Sequence, residues 1–191
     1  NSYVGYSDAS TSTPDPLIGA GKGIGNSVTF NMGAGGDNYL ALASSAGAYG
    51  GEFSYVGGSG DDTIEGDSVT FFRGDVTIDM TAGGNNSLTV AESAGAYGTL
   101  EYLGGTGEDS LTFGPQLATG SADVKLSLGV DNSVDSVQLS GTGFGFSTPA
   151  GLKIMEFAID DVLFVDGWSS ATLTQSGPDV QVLKGGDPSK G

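Results

Sequence analysis

The sequence predicts an all-β chain wound as a parallel β-solenoid of the β-roll or β-helix kind, with about 24 residues per coil. Three observations carry the prediction. VTFNMGAGGDNYLALASSAGAYG at 28–50 returns as VTIDMTAGGNNSLTVAESAGAYG at 76–98, 48 residues later. The intervening halves also match, EFSYVGGSGDDTIEG at 52–66 against LEYLGGTGEDSLTFG at 100–114, so each unit is a double coil. Within each half, apolar and polar residues alternate on both sides of a glycine-rich turn, a period of two that belongs to short strands. A fixed spacing lets equivalent residues stack ~4.8 Å apart and merges narrow apolar faces into one core.

Residues 1–27 show little periodicity, and Pro14 and Pro16 discourage regular pairing, so they read as an N-terminal arm. Residues 28–140 read as five coils. Their pre-turn strands alternate as Val28-Phe30-Met32, Phe53-Tyr55, Val76-Ile78-Met80, Leu100-Tyr102 and Val124-Leu126-Leu128. After each turn the first inward residues align as Leu40, Ile64, Leu88, Leu111 and Val134. Two positions earlier stand Asn38, Asp62, Asn86, Asp109 and Asn132, at spacings of 24, 24, 23 and 23. The small residues of SAGAYG, at 45–50 and 93–98, suit a tight corner between coils. Residues 141–191 read as a strand-rich C-terminal cap and tail. Segments 152–167 and 171–183 are expected as two hairpins, and Gly177-Pro178-Asp179 as a turn. Such a cap would cover strand edges that otherwise invite association.

Composition narrows the function. Six Lys plus Arg stand against 23 Asp plus Glu, a net charge of −17, which argues against nucleic acid and anionic membranes. With no Cys and no His, thiol nucleophiles, Ser-His-Asp triads and ordinary zinc sites are excluded. No apolar run approaches the ~20 residues that span a bilayer. The 35 glycines exceed ordinary globular usage, but 37% hydrophobic residues are too many for a disordered linker. No basic-then-apolar leader opens the sequence, so a secretion signal is expected to be removed or to lie elsewhere.

Gly57–Glu65 (GGSGDDTIE) and Gly104–Thr112 (GGTGEDSLT) fit the nonapeptide G-G-x-G-x-D-x-(large apolar)-x. Glycines let the backbone turn tightly and its carbonyls converge, and an aspartate beside them makes an all-oxygen set suited to a hard cation. On these motifs, with degenerate copies at 33–42 and 83–90, the chain resembles the repeats-in-toxin (RTX), hemolysin-type calcium-binding family. The resemblance implies calcium as cofactor, export, and folding outside the cell as a β-roll. Carried over by position, it makes Asp62 and Asp109 calcium ligands, joined by carbonyls of Gly57, Ser59, Gly104 and Thr106. Asn38 and Asn86 would add neutral amide oxygens, and Asn132 likewise. The chain departs from the family in carrying one nonapeptide per coil and in alternating Asn with Asp at the sixth position. The same alternation equally suits a metal-free ladder of stacked amides and carboxylates. Asp37, Asp61 and Glu108, at the fifth positions, are expected to face solvent.

The basic residues share no register, and Asp160-Asp161 reads more readily as a turn or a cation site than as paired catalytic acids, so no enzymatic activity is expected. A Thr-x-Thr array for ice binding is absent. The expected function is a secreted, calcium-stabilised structural protein that self-assembles into an extracellular or cell-surface layer, filament or matrix. Its partners would be further copies and calcium ions, with no nucleic acid and no membrane insertion. The alternative is a calcium-binding module of an adhesin or secreted enzyme whose active part lies outside this chain. Tyr3, Tyr6, Tyr49, Tyr97, Phe71, Phe72 and Trp168 are candidate contact aromatics.

Overall fold

Strands dominate because the alternating segments bury every second residue. The computed structural model describes residues 3–5, 27–42, 51–66, 71–72, 74–90, 95–96, 98–114, 123–139, 152–158, 160–165, 171–176 and 179–184. Among them are seventeen strands and no helix: β1 (Tyr3–Gly5), β2 (Val28–Asn31), β3 (Asn38–Leu42), β4 (Phe53–Val56), β5 (Asp62–Gly66), β6 (Phe71–Phe72), β7 (Val76–Asp79), β8 (Ser87–Val90), β9 (Gly95–Ala96), β10 (Leu100–Leu103), β11 (Ser110–Phe113), β12 (Val124–Ser127), β13 (Ser136–Leu139), β14 (Leu152–Met155), β15 (Val162–Val165), β16 (Ala171–Ser176) and β17 (Asp179–Lys184). No helix of the described residues is long and apolar enough to cross a membrane.

The strands form a parallel β-solenoid. One sheet runs β1-β2-β4-β7-β10-β12-β14-β17-β16 and is parallel as far as β14. The second, wholly parallel, runs β15-β13-β11-β8-β5-β3. Each coil contributes one strand to each sheet, with the glycine-rich turn between them. A short parallel pair, β6 with β9, marks a third side. That pair falls partly on the SAGAYG corner at 93–98. The copy at 45–50 lies outside the described residues.

Inward residues stack as columns: Phe30, Tyr55, Ile78, Tyr102, Leu126 and Ile154 from the first sheet, and Leu40, Ile64, Leu88, Leu111 and Val137 from the second. All are buried. At ~25 cal/mol per Å2 of apolar surface, this shared column is the main stabilising term, and no coil has it alone. Phe30 and Phe53 add a tilted ring contact, 5.8 Å between centroids.

Two expectations need correction. The 23-residue spacing put Asn132 and Val134 in line with Asp109 and Leu111. In the structure Leu111 pairs with Val137, and Asp135 stands beside Asp109. The turn of this coil is longer, and Asn132 and Val134 are exposed on it. Val137 and Leu139, which alternation marks as the strand after this turn, are buried, and only the positions in line with Asp109 and Leu111 move, to Asp135 and Val137. Segment 152–167 is also not a hairpin. β14 and β15 pair in parallel with β12 and β13 and continue the stack. Only β16 and β17 form an antiparallel hairpin, closing from Ser176 to Asp179 across Gly177 and Pro178, which themselves lie outside the described residues. β17 lies antiparallel on β14.

Candidate functional site: a buried Asn and Asp ladder

The 48-residue repeat has a packing cause, and it lies at the turn. Following the first-sheet strands, the next position along the stack reads Met32, Gly57, Met80, Gly104, Leu128 and Glu156. A Cβ at Gly57 would collide with Asp62 Oδ2 and, at 2.6 Å, with Met80 Sδ. A Cβ at Gly104 would meet Asp109 Oδ2 and the Leu128 carbonyl oxygen, both at 2.6 Å. Two kinds of coil therefore alternate. One carries Phe30-Met32 with Asn38, or Ile78-Met80 with Asn86. The other carries Tyr55-Gly57 with Asp62, or Tyr102-Gly104 with Asp109. At both positions glycine clears the space into which the aspartate of its own coil folds; at Gly57 Met80 Sδ leans in as well, and at Gly104 the Leu128 backbone comes close.

The sixth-position side chains form one buried ladder. Asn38 donates to Asp62 Oδ1 from its backbone N at 3.0 Å and from Nδ2 at 2.6 Å. Gly58 N donates to Asp62 Oδ2 at 2.7 Å. Asp62 N donates to Asn86 Oδ1 at 3.1 Å. Asn86 repeats the pattern on Asp109 Oδ1, at 3.2 Å from N and 3.0 Å from Nδ2. The Nδ2 groups of Asn38 and Asn86 also donate to the Gly36 and Gly84 carbonyls. Asp109 N then donates to Asp135 Oδ1 at 2.8 Å, and Asp135 N to Asp161 Oδ1 at 3.0 Å. Asp161 Oδ2 accepts from Ala158 N at 2.6 Å. Among the described residues Asp161 is the last rung of the ladder, and Asp160 beside it is exposed.

A second ladder runs beside the first with the opposite sense. Asp61 N donates to Asp37 Oδ1, Asn85 N to Asp61 Oδ1, and Glu108 N to Asn85 Oδ1, at 2.8–3.0 Å. Asp37, Asp61 and Glu108 are exposed, so these bonds sit in water and each contributes modestly.

Electrostatics follow from burial. Desolvation raises the pKa of Asp62, opposed by the N–H groups of Asn38 and Gly58. Asp109 is raised for the same reason, opposed by Tyr102 and Asn86. Its Oδ2 has no formed hydrogen bond, and neither has the buried Tyr102 hydroxyl; the phenol is near enough to favour the carboxylate without bonding it. The Tyr55 hydroxyl is likewise buried without a partner. Burial first, then the Asp62 and Asp109 charges, push the two phenols up.

The residues that the resemblance makes calcium ligands fall into two groups. Asp62, Asp109, Asn38, Asn86, Gly57 and Gly104 are buried along the ladder, whereas Ser59 and Thr106 are exposed. The Ser59 and Thr106 hydroxyls lie over Gly35 and Gly83. Both oxygens of Asp62 accept N–H donors. Among the described residues no three or more Asp or Glu side chains converge to hold a metal ion. Asp135 and Asp161 are rungs that the spacing argument missed. Their signal was a local echo: Asp135-Ser136-Val137 repeats Asp109-Ser110-Leu111, and Asp161-Val162-Leu163 follows suit. No family model, no curated protein and no solved structure matches the chain.

Proposed function

We propose that this chain is a non-enzymatic structural β-solenoid, suited by its acidity to an extracellular or cell-surface setting, that assembles by strand addition between copies. The observation that supports it is the ending of the six-stranded sheet. Among the described residues β3 pairs only with β5, and β15 only with β13, so these two strands are the ends of the six-stranded sheet. The other sheet is longer, extended by β1 at one end and by β17 and β16 at the other. Strand addition at these two end strands would join one copy to the next. Among the described residues no N–H donates to Asn38 Oδ1 as Asp62 N donates to that of Asn86. Because the two edges differ, contact between them is heterologous and propagates. The ladder reads as an amide and carboxylate device that turns and aligns the coils without calcium.

Light scattering across ionic strength, with and without a chelator, tests this. Copies carrying −17 repel, so particles should grow as salt screens that charge and should persist in chelator. Phe164→Lys, a charge on an exposed edge-strand residue, should suppress growth without lowering the melting temperature. A monomer under every condition would exclude the assembly reading. Particles that dissolve on chelation would return the ladder to calcium.

A further inference from the structure

The two outward sheet faces of the solenoid differ in charge. In the six-stranded sheet the outward residues from β8 to β15 are Ser, Thr, Gln, Val and Phe, and none is charged. Among the described residues the one charge on this face is Glu65, on β5, which accepts from the Tyr39 hydroxyl. The outward face of the other sheet carries Asp79, Glu101, Lys125 and Lys153.

Apolar surface gathers at the β15 end of the uncharged face. Val162 is 52% exposed and Phe164 54%, and Val134, on the turn that leads into β13, is 45% exposed. The alternation that buries Val137 and Leu139 turns their register neighbours' outward partners, Val162 and Phe164, to the surface. Further along, Ser136 Oγ donates to Ser110 Oγ at 3.3 Å, so hydroxyls of one column can satisfy each other where water is displaced.

We infer that the uncharged outward face of β8, β11, β13 and β15 is a lateral docking face for the same face of a second copy. Charge selects this occupant. Copies at −17 repel wherever their carboxylates meet, and this face lets them approach without opposing like charges. A partner recognised by ion pairs would find nothing there to pair with. The matching neutral face of another copy fits it, because charge is depleted at the centre of contact surfaces. The strands are parallel and in register, so the face is regular and two of them can pack as stacked sheets do. Size selects the same occupant. Four strands ~4.8 Å apart, each four residues long at ~3.3 Å, cover roughly 250 Å2. A standard interface takes about 800 Å2 from each partner. A lone partner is therefore held weakly, whereas copies joined end to end repeat the contact and gain by multivalency. In that respect the lateral contact rests on the strand addition proposed above, but it uses a different surface.

The chain has no cysteine, so single cysteines report the contact directly. The test treats the full chain, as Ser110→Cys and as Thr29→Cys, with a bismaleimide of about 10 Å span, the spacing of stacked sheets. Both positions are exposed, and they lie on opposite outward faces. Ser110→Cys should give about ten-fold or more covalent dimer than Thr29→Cys. Adding Thr112→Glu, which sets like charges against each other across the contact, should remove that excess. Equal crosslinking at the two positions, or an excess that survives Thr112→Glu, would overturn lateral docking. Electron micrographs of particles grown in salt separate the two contacts. Paired filaments in wild type and single ones in Thr112→Glu support both. Single filaments in wild type overturn the lateral face and leave strand addition standing. Covalent Ser110→Cys dimers without filaments support the lateral face and exclude strand addition.

Discussion

The same substitution has opposite signs on two rungs of the ladder. Asp62 accepts from Asn38 at Oδ1 and from Gly58 N at Oδ2. In Asp62→Asn an amide NH2 must face one of those donors, leaving a buried donor unpaired at about 1–3 kcal/mol. Asp135→Asn places an amide where the register calls for one and should stabilise the protein at neutral pH. Urea denaturation of both variants at about pH 7.5 checks the contrast, and destabilisation by both would show that the rungs are equivalent. Gly57 is fixed by space. Gly57→Ala should cost about 1–3 kcal/mol, because the new methyl group meets Met80 Sδ at 2.6 Å as well as Asp62. Trimming the obstacle in Gly57→Ala/Met80→Ala should make the pair less costly than the sum of its single changes, which a double-mutant cycle would measure.

At the scale of the strand, most of the pattern was readable. Val28-Phe30-Met32 and Leu40 declared their inward face by alternation, and burial follows it. Alternation cannot fix how long a turn is, however. The fifth turn carries extra residues, so spacing alone aligns Val134, while alternation marks Val137 and Leu139, the residues that are buried. Strand β5 holds a second lesson. Gly66 lies in line with Leu42 and Val90, and through Val90 with Phe113 and Leu139, so one core position has no side chain. A small void lies there, lined by Phe53, Ile64, Val76, Ile78, Leu88 and Leu100 among others. Gly66→Ala should therefore raise stability by about 1 kcal/mol, from cavity filling and reduced freedom of the unfolded chain. A fall in melting temperature would show that the backbone at Gly66 cannot accept a Cβ.

At the scale of the molecule, charge and pH act together. Asp62, Asp109 and Asp135 all have raised pKa values, so folding takes up protons as pH falls toward the carboxylate range. The sign is the reverse of that for a protein held by salt-bridged carboxylates. Stability from these groups is present at low pH and declines as pH rises through their folded values. Wild type should therefore melt higher at about pH 5 than at about pH 8, and Asp135→Asn should flatten the difference in a thermal scan. An equal slope in the two proteins would assign the effect to the relief of general repulsion among 23 acidic residues.

By itself the sequence determined the solenoid, its period and the polar residues that stack at each turn, because repetition and alternation are local properties that any coil displays. The tertiary structure decided how those residues pair. That Asp62 accepts from Gly58 N and Asn38 depends on where those residues put their donors, which no spacing encodes. That 152–165 continues the stack while β16 and β17 turn back on it was decided by pairing energies between distant strands. The tyrosine, glycine and aspartate of one coil, set against the methionine and asparagine of the next, are visible in the sequence as a 48-residue repeat. The reason for the glycines, space that an aspartate and the atoms of the next coil fill in place of a Cβ, exists only once the coils are stacked.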